Sequence, residues 1–384
     1  MQSTSIKTVS NNLSPHGREA TFLERKDFSF KYTADDLKSM IVKNAFSNED
    51  AVVFNEIVLT LENTGKLPFD WTPQEQFFVT HNPVDRIIPY IIYRFKFRLF
   101  AKRQIVPDFP IHLLVEPSSA CDLRCIMCYQ VDKTFNKKPY IGMMDFGIFK
   151  EVIDQAAEGG TRALSLQSRG EPLLNEHFAE MLRYVSNKKT FFDIKLNTNA
   201  THLDEAMCHE ILSSDMNVIV ISIDSHQKEI YEEIRVRGKF DNVLGNIKRL
   251  CDIREKEYPN SRLEIRTAGV KFRDDQDEAG FYNFWSEIVD TVAFVRAQER
   301  WDTYKNAAHP EHTAPCELLW NRLYVWFDGK FSLCDEDYKG VLSPGNILET
   351  SIRDVWHGKS MTLMRESHIA KKRGKHFPCD RCGV

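Results

Sequence analysis

The sequence predicts an α/β fold: an open six-unit (β/α) barrel with a helical extension before it and a small α+β domain after it. Three observations carry this. Strand-like and helix-like runs alternate from residue 111 onward. Helical patterns without strands mark residues 34–104. Beyond residue 301 a hairpin signal lies among clustered cysteines. The boundaries expected from these patterns are 1–105, 106–300 and 301–384.

Residues 1 to about 20 are polar and unpatterned and are expected to be disordered or loosely attached. Residues 35–43 place Leu37, Met40 and Ile41 on one helical face. Residues 74–78 follow Thr72-Pro73, a good helix opening. Residues 90–102 interleave aromatics with Arg94, Lys96, Arg98 and Lys102, and Arg103 follows. A solvated basic face packed by Tyr93, Phe97 and Phe100 is the commoner outcome of such a run; contact with an anionic surface or a substrate phosphate is the other.

The barrel strands are expected at 111–116, 162–167, 192–197, 218–223, 263–267 and 291–296. Helical patterns lie between them at 145–158, 203–213, 241–257 and 278–288. A further one sets Phe178, Met181, Leu182 and Val185 at i, i+3, i+4 and i+7. Six units are too few for a closed eight-stranded barrel. In parallel barrels the site forms at the C-terminal ends of the strands, so the polar residues there are the first candidates.

Lys+Arg 51 against Asp+Glu 55 leaves a net charge of −4 over 384 residues, which argues against a general nucleic-acid or membrane partner. No basic-then-apolar start and no bilayer-length apolar run are present, so a cytoplasmic location is expected. In a reducing compartment, nine cysteines read as metal ligands rather than disulfides. Cys208 and Cys251 fall in helical patterns and read as small core residues.

Cys121, Cys125 and Cys128 form a CxxxCxxC run directly after the first strand. Soft thiolates select iron–sulfur clusters or zinc, and three are one short of the four that hold a cube. A metal site with a vacancy is a reactive one; a redox or zinc triad is the plainer alternative. On this run the chain resembles the radical S-adenosylmethionine (SAM) superfamily. The resemblance implies a partial (β/α)6 barrel and a [4Fe–4S] cluster on Cys121, Cys125 and Cys128. It further implies an open iron that chelates SAM, and cleavage of SAM to a 5′-deoxyadenosyl radical. A reductant such as flavodoxin or ferredoxin would supply the electron. The family's aromatic residue precedes the third cysteine; here Met127 stands there, and Tyr129 follows one place late.

Other positions match by resemblance. Ser168-Arg-Gly-Glu-Pro172 matches the family's glycine-rich turn at Gly170, Glu171 and Pro172, with Arg169 in place of the first glycine. Asn197, Ser222 and Asp224 stand at the ends of the third and fourth strands, and Arg235 lies in Tyr-Glu-Glu-Ile-Arg. With Tyr129 these are the expected cofactor contacts. Their plainer roles are turn former, cap and surface ion pair.

In the C-terminal segment, Cys316 and Cys334 flank an Asp328-Gly329 hairpin signal, and Cys379 and Cys382 form a CxxC. Four soft ligands make a closed site, with zinc and a four-iron cluster both open on ligand type. Cys316, Gly329, Cys334, the Gly345-Asn346-Ile347 turn and the helix with Ile352, Val355 and Trp356 resemble the SPASM domain. No cysteine follows Cys382, so the likeness is to its shortened (twitch) form. That implies an α+β domain holding one auxiliary [4Fe–4S] cluster, with a cysteine layout similar to that of the 2-deoxy-scyllo-inosamine dehydrogenases. The resemblance covers residues 110–384. It implies an oxidoreductase that removes hydrogen from a substrate, with a hydroxyl of a sugar, cyclitol or similar metabolite as the favoured target. Candidate proton acceptors are Arg266, Glu171, Asp335 and Asp337. A peptide or protein maturase of the SPASM type is one alternative, and a zinc-stabilised binding protein without catalysis is another.

Overall fold

The computed structural model describes residues 6–9, 20–23, 30–40, 46–297, 303–309, 311 and 313–382. Its ten strands are β1 (Ile6–Val9), β2 (Ala20–Leu23), β3 (His112–Val115), β4 (Ala163–Leu166), β5 (Asp193–Thr198), β6 (Val218–Ser222), β7 (Glu264–Lys271), β8 (Thr291–Arg296), β9 (Arg322–Val325) and β10 (Phe331–Ser332). They form one sheet in the order β1-β2-β8-β7-β6-β5-β4-β3-β9-β10.

Strands β3 to β8 pair in parallel, each with the next in sequence. This is the partial (β/α)6 barrel expected from the alternation. The strands are runs such as Ala-Leu-Ser-Leu in β4, buried at every position, as parallel strands covered on both faces must be. The helices between them start on side-chain caps. Asp145 accepts from the Gly147 and Ile148 N–H groups, Asp204 from Met207 and Asp277 from Gly280. Phe149, Val152, Met181, Leu182, Val243, Ile247, Phe281 and Trp285 face the sheet in one continuous core.

Two elements extend the barrel sheet. On one side β9 pairs in parallel with β3, and β10 turns back antiparallel on β9 through Asp328-Gly329, where Gly329 has φ 80°. On the other side β2 adds antiparallel to β8, and β1 to β2. Residues 6–9 and 20–23 are thus strands, a correction to the expectation that 1–20 is loose. The open edge of β8 offers a row of unpaired backbone groups, and a short segment with little pattern of its own satisfies them.

The described part of residues 30–104 is helical: Ala34–Met40, Asn48–Thr64, Pro73–His81 and Val84–Phe95, the last continuing through Lys96–Phe100 to Arg103. Pro73–His81 opens with a full capping box between Thr72 and Glu75. These helices share a core that includes Phe54, Ile57, Ile87 and Ile91 and reaches Ile111 and Ala163 at the beginnings of the first two barrel strands. Tyr93 Oη donates to Asp193 Oδ2 at 3.3 Å, and Gln74 Oε1 accepts from Arg266 at 3.0 Å. Asp193 opens β5 and Arg266 lies near the start of β7, so the extension packs on the N-terminal end of the barrel and leaves the other end for the site.

Most of the basic run 90–103 is not a solvated face; Lys102 and Arg103 at its end are exposed. Arg94 and Arg98 are turned inward onto the buried Glu75, with Arg98 at 2.6 Å. Lys96 meets Glu49 and Asp50, and Arg103 meets Glu56 at 2.6 Å. The acidic partners come from the two preceding helices, so Arg94, Lys96 and Arg98 are consumed inside the extension.

Burial raises the Glu75 carboxyl pKa, and Arg94 and Arg98 more than reverse this, holding it below its ordinary value. Glu75→Gln is expected to cost roughly 3 kcal/mol, since it leaves buried arginine charge without its partner. A carboxyl with a depressed folded pKa stabilises above its unfolded pKa and loses that contribution as pH falls through the folded one. Urea midpoints of wild type and variant should therefore differ at pH 7 and converge below about pH 4.

Candidate active site

The loop after β3 carries Cys121, Cys125 and Cys128 and is held from three sides. The Glu171 N–H donates to Ala120 O at 2.8 Å from the turn after β4. The Arg124 and Ile126 N–H groups donate to Val236 O and Ile234 O, both at 3.0 Å, at the end of the helix Lys228–Ile234. Asn199 and Thr201, after β5, donate to Asp122 at 2.8 and 2.7 Å. The three thiols are gathered: Cys121 interacts with Cys125, and Cys125 with Cys128. Burial raises the pKa of Cys121 and pushes Cys125 up to about 12.

Gly170 stands where backbone meets backbone. A Cβ there would lie 2.2 Å from Ala120 O and 2.6 Å from Ser118 O, so only glycine lets the turn rest on the cysteine loop. Arg169, which replaces the family's first glycine, has its own task. Its guanidinium holds the buried Glu116 at 2.5 and 2.8 Å, donates to Tyr338 O at 2.9 Å and lies 3.5 Å from the Trp326 ring centroid. Glu171 is buried and engaged on both oxygens, by Thr198 Oγ1 at 2.6 Å and by the Asn199 N–H at 2.7 Å. Burial raises its pKa to about 7.

A cavity of about 420 Å³ opens beside this loop, within the roughly 300–1,000 Å³ usual for small-molecule sites. Cys121, Cys125, Cys128, Tyr129, Gly170, Glu171, Asn197, Ser222, Arg235 and Asp335 all border it. Pro172 and Asp224 do not. Asp224 is fully buried, 2.7 Å from Arg235 Nε, and accepts from the Val270 N–H. It steers Arg235, whose other end reaches Cys125 Sγ at 3.8 Å. Tyr129 stacks on Tyr338 at 4.9 Å between centroids and donates to Ser168 O.

Two of the proposed proton acceptors lie elsewhere, a correction. Arg266 is spent on Glu264, Thr291 and Gln74 at the barrel floor. Asp337 accepts from Tyr304 Oη and from the Val341 and Leu342 N–H groups. Sequence reasoning also missed Lys195 and Arg322, which line the cavity from β5 and β9. The signal was present: in Asp-Ile-Lys-Leu-Asn the polar residues alternate with apolar ones, as on a strand with a polar barrel interior.

The second cysteine group is also gathered. Cys334 interacts with Cys379, Cys382 and Cys316, after burial and Asp337 the main causes of its strongly raised pKa. Cys379 is pushed up to about 12, first by burial. The Cys316 N–H donates to His368 Nδ1 at 3.1 Å.

Residues 115–277 match the family model of the radical SAM superfamily, and 316–383 match that of an iron–sulfur cluster-binding domain, SPASM. The chain carries a radical SAM domain followed by a SPASM domain. Members of the radical SAM superfamily are enzymes. Among curated proteins it is similar to the GTP 3′,8-cyclase of Desulforamulus reducens, 24% identical over 184 residues, 48% of this chain and 54% of that protein. The chain thus spans little more than half of that relative. Among solved structures it is similar to SuiB of Streptococcus suis bound to SAM, with 13% identity, TM-score 0.51 and coverage of 100% of this chain and 94% of the other. BtrN in complex with AdoMet and 2-DOIA gives 19% identity and TM-score 0.49 over 71% and 93%.

The two domains imply two [4Fe–4S] clusters and SAM, and the residues fit them. The thiols of each group are close-set and largely withdrawn from water, Cys125 buried and the others half-buried, so their thiolates favour a metal's positive charge. Asn197 Oδ1 and Ser168 Oγ are buried at the cavity without a hydrogen-bond partner, free for a polar ligand. Among the described residues no three His, Cys, Asp or Glu side chains converge on a single-ion position; a cube takes its thiolates at separate corners and does not require that.

Gly170→Ala is expected to displace the cysteine loop. Iron per chain in oxygen-free preparations should fall by about half, the share of one cube of two, while far-ultraviolet circular dichroism stays at the wild-type level.

Proposed function

We propose that the enzyme oxidises a hydroxyl of a sugar, cyclitol or similar metabolite by two electrons. When bound, the cluster on Cys121, Cys125 and Cys128 with SAM supplies a 5′-deoxyadenosyl radical, and the cluster on Cys316, Cys334, Cys379 and Cys382 supplies an electron acceptor.

One observation carries this reading: the four-cysteine site stands directly behind the cavity wall. Asp335, next in sequence to Cys334, borders the cavity, whereas none of the four cysteines does. Protein thiols close that site, so it is suited to take an electron from a substrate in the cavity rather than to bind one. A carbon bearing a hydroxyl that loses a hydrogen atom, a proton and an electron becomes a ketone.

The chain's residues prepare the place. Glu171 fixes the Asn199 turn, Asp224 aims Arg235, and Asn197, Ser168 and Ser222 present polar atoms to the ligand. Asp335 holds a hydrogen bond from Tyr324 Oη at 3.3 Å and is a carboxylate bordering the cavity, next in sequence to an auxiliary cysteine and placed to receive the hydroxyl proton. Membrane passage is no part of this reading; among the described residues no helix is long and apolar enough to cross a bilayer.

Oxygen-free protein should contain about eight irons, falling to about four in the Cys121, Cys125 and Cys128→Ala triple variant. Incubation with SAM, a reductant and candidate metabolites should release one 5′-deoxyadenosine per ketone, read by mass spectrometry. A net epimer or methylated product without any oxidised one would sink the oxidation, and turnover of a peptide instead would make the enzyme a maturase.

A further inference from the structure

Most buried charges around the barrel interior are matched. Glu116 has Arg169, Asp224 has Arg235, Glu264 has Arg266, and Glu75 has Arg94 and Arg98. Asp193 accepts from Tyr93 Oη. Two cations are left over. Lys195 on β5 and Arg322 on β9 form no close salt bridge among the described residues, and Asp193 and Glu317 act on them only at longer range. Arg322 donates to the Asn321 side chain at 3.0 Å, hydrogen-bonds the Tyr324 hydroxyl and lies 5.0 Å from the Phe97 ring centroid.

The two cations stand on strands three positions apart in the sheet, both border the cavity, and each feels the other's charge. Lys195 pairs with Ser165, Ser165 with Leu114 and Leu114 with Tyr324, all on one level. Arg322 pairs with His112 one layer below. Both cations act on His112, which burial and they together hold neutral; its Nε2 lies 2.9 Å from Ser165 Oγ, and its Nδ1 has no partner. Lys195 is two residues deeper on β5 than Asn197, roughly 7 Å nearer the floor. The cysteine loop and the glycine turn are at the top of the same cavity, Lys195 and Arg322 toward its floor.

We propose that Lys195 and Arg322 form an anion seat, and that the substrate carries a phosphate or carboxylate group that occupies it. This rests on the oxidation reading and narrows its substrate to an anionic sugar- or cyclitol-like metabolite. Arg322 is buried and Lys195 half-buried, each without a close carboxylate; that is costly, and a ligand anion offsets the cost only when bound. Burial, Arg266 and Arg322 pull the Lys195 pKa to about 8, so the ammonium remains the main form at neutral pH, and an anion would strengthen it. A guanidinium and an ammonium offer the fork and the point charge that bind such groups. Seated there, the anionic end anchors the molecule at the floor and leaves its other end toward the cysteine loop.

The test uses enzyme with both clusters in place and SAM saturating, titrated calorimetrically with inorganic phosphate and, separately, with acetate at fixed ionic strength. Saturable binding of one anion per chain is expected. Lys195→Met and Arg322→Gln should each weaken it roughly tenfold or more, and Lys195→Arg should retain it. Iron content at the wild-type level reports that the variants are folded. Tighter phosphate assigns a phosphate ester, tighter acetate a carboxylate. No saturable binding to the wild-type enzyme overturns the seat whatever the variants do. Binding that both charge-removing variants leave unchanged overturns it too. Release of 5′-deoxyadenosine with candidate metabolites is measured on the same preparation. Release and oxidation without anion binding sink the seat alone; anion binding without any oxidised product sinks the oxidation reading alone.

Discussion

Glu116 and Arg169 meet where almost no solvent reaches them, their side chains 0% and 1% exposed. Removing two such ions from water costs several kcal/mol each before their attraction is counted, so the pair is a poor source of bulk stability. What it supplies is position. Glu116 ends the first barrel strand and leads into the cysteine loop, and it accepts from the Arg169 and Phe327 N–H groups as well as the guanidinium. Arg169 opens the Gly-Glu-Pro turn and reaches Tyr338 O and the Trp326 face. One ion pair therefore fixes three segments relative to each other: the cluster loop, the turn that rests on it and the auxiliary domain. Where the family has a glycine, this chain has a side chain that ties the turn to the SPASM domain.

The same economy of charge runs down the barrel. Carboxylates on the strands are met by guanidiniums, and the helical extension supplies Tyr93 and Gln74 to the charged residues at the floor. A buried polar interior is tolerable only when its members satisfy each other. The exceptions are therefore informative. Asn197 Oδ1 and Ser168 Oγ leave bonding capacity unused at the cavity wall, and Lys195 and Arg322 border the same space.

Much of this was legible in the sequence because parallel strands are short, wholly apolar runs set off by amphipathic helices with acidic caps. The six barrel strands lie within a few residues of their expected places. The cysteine groups were legible because their spacing is local. The misses have a common cause in long-range structure. Residues 6–9 and 20–23 become strands only because β8 offers an edge. Arg94 and Arg98 looked like a solvated face because Glu75 lies about twenty residues away in sequence. Arg266 was assigned to the cavity from its strand alone, yet on a barrel strand depth decides as much as face, and two layers separate the floor from the mouth. Asp337 sits near an auxiliary cysteine in sequence but is turned to the Val341 turn.

The sheet itself sets where the two cysteine groups stand. β3 runs up to the loop of Cys121, Cys125 and Cys128. β9 runs up beside it in register, His112 opposite Arg322 and Val115 opposite Val325, and then β10 returns antiparallel with Ser332 opposite Tyr324. Cys334, two residues beyond Ser332, therefore emerges back toward the level of Tyr324 and Arg322, well below the first cysteine group. The cavity lies between, with Tyr324 and Asp335 as its wall on the auxiliary side. On the proposed oxidation this spacing has a chemical consequence. Hydrogen abstraction belongs to the mouth and electron removal to the flank, so a substrate must be held at a fixed height to serve both. Backbone pairing fixes that geometry, because sliding β9 by one residue would turn Arg322 and Tyr324 out of the barrel together.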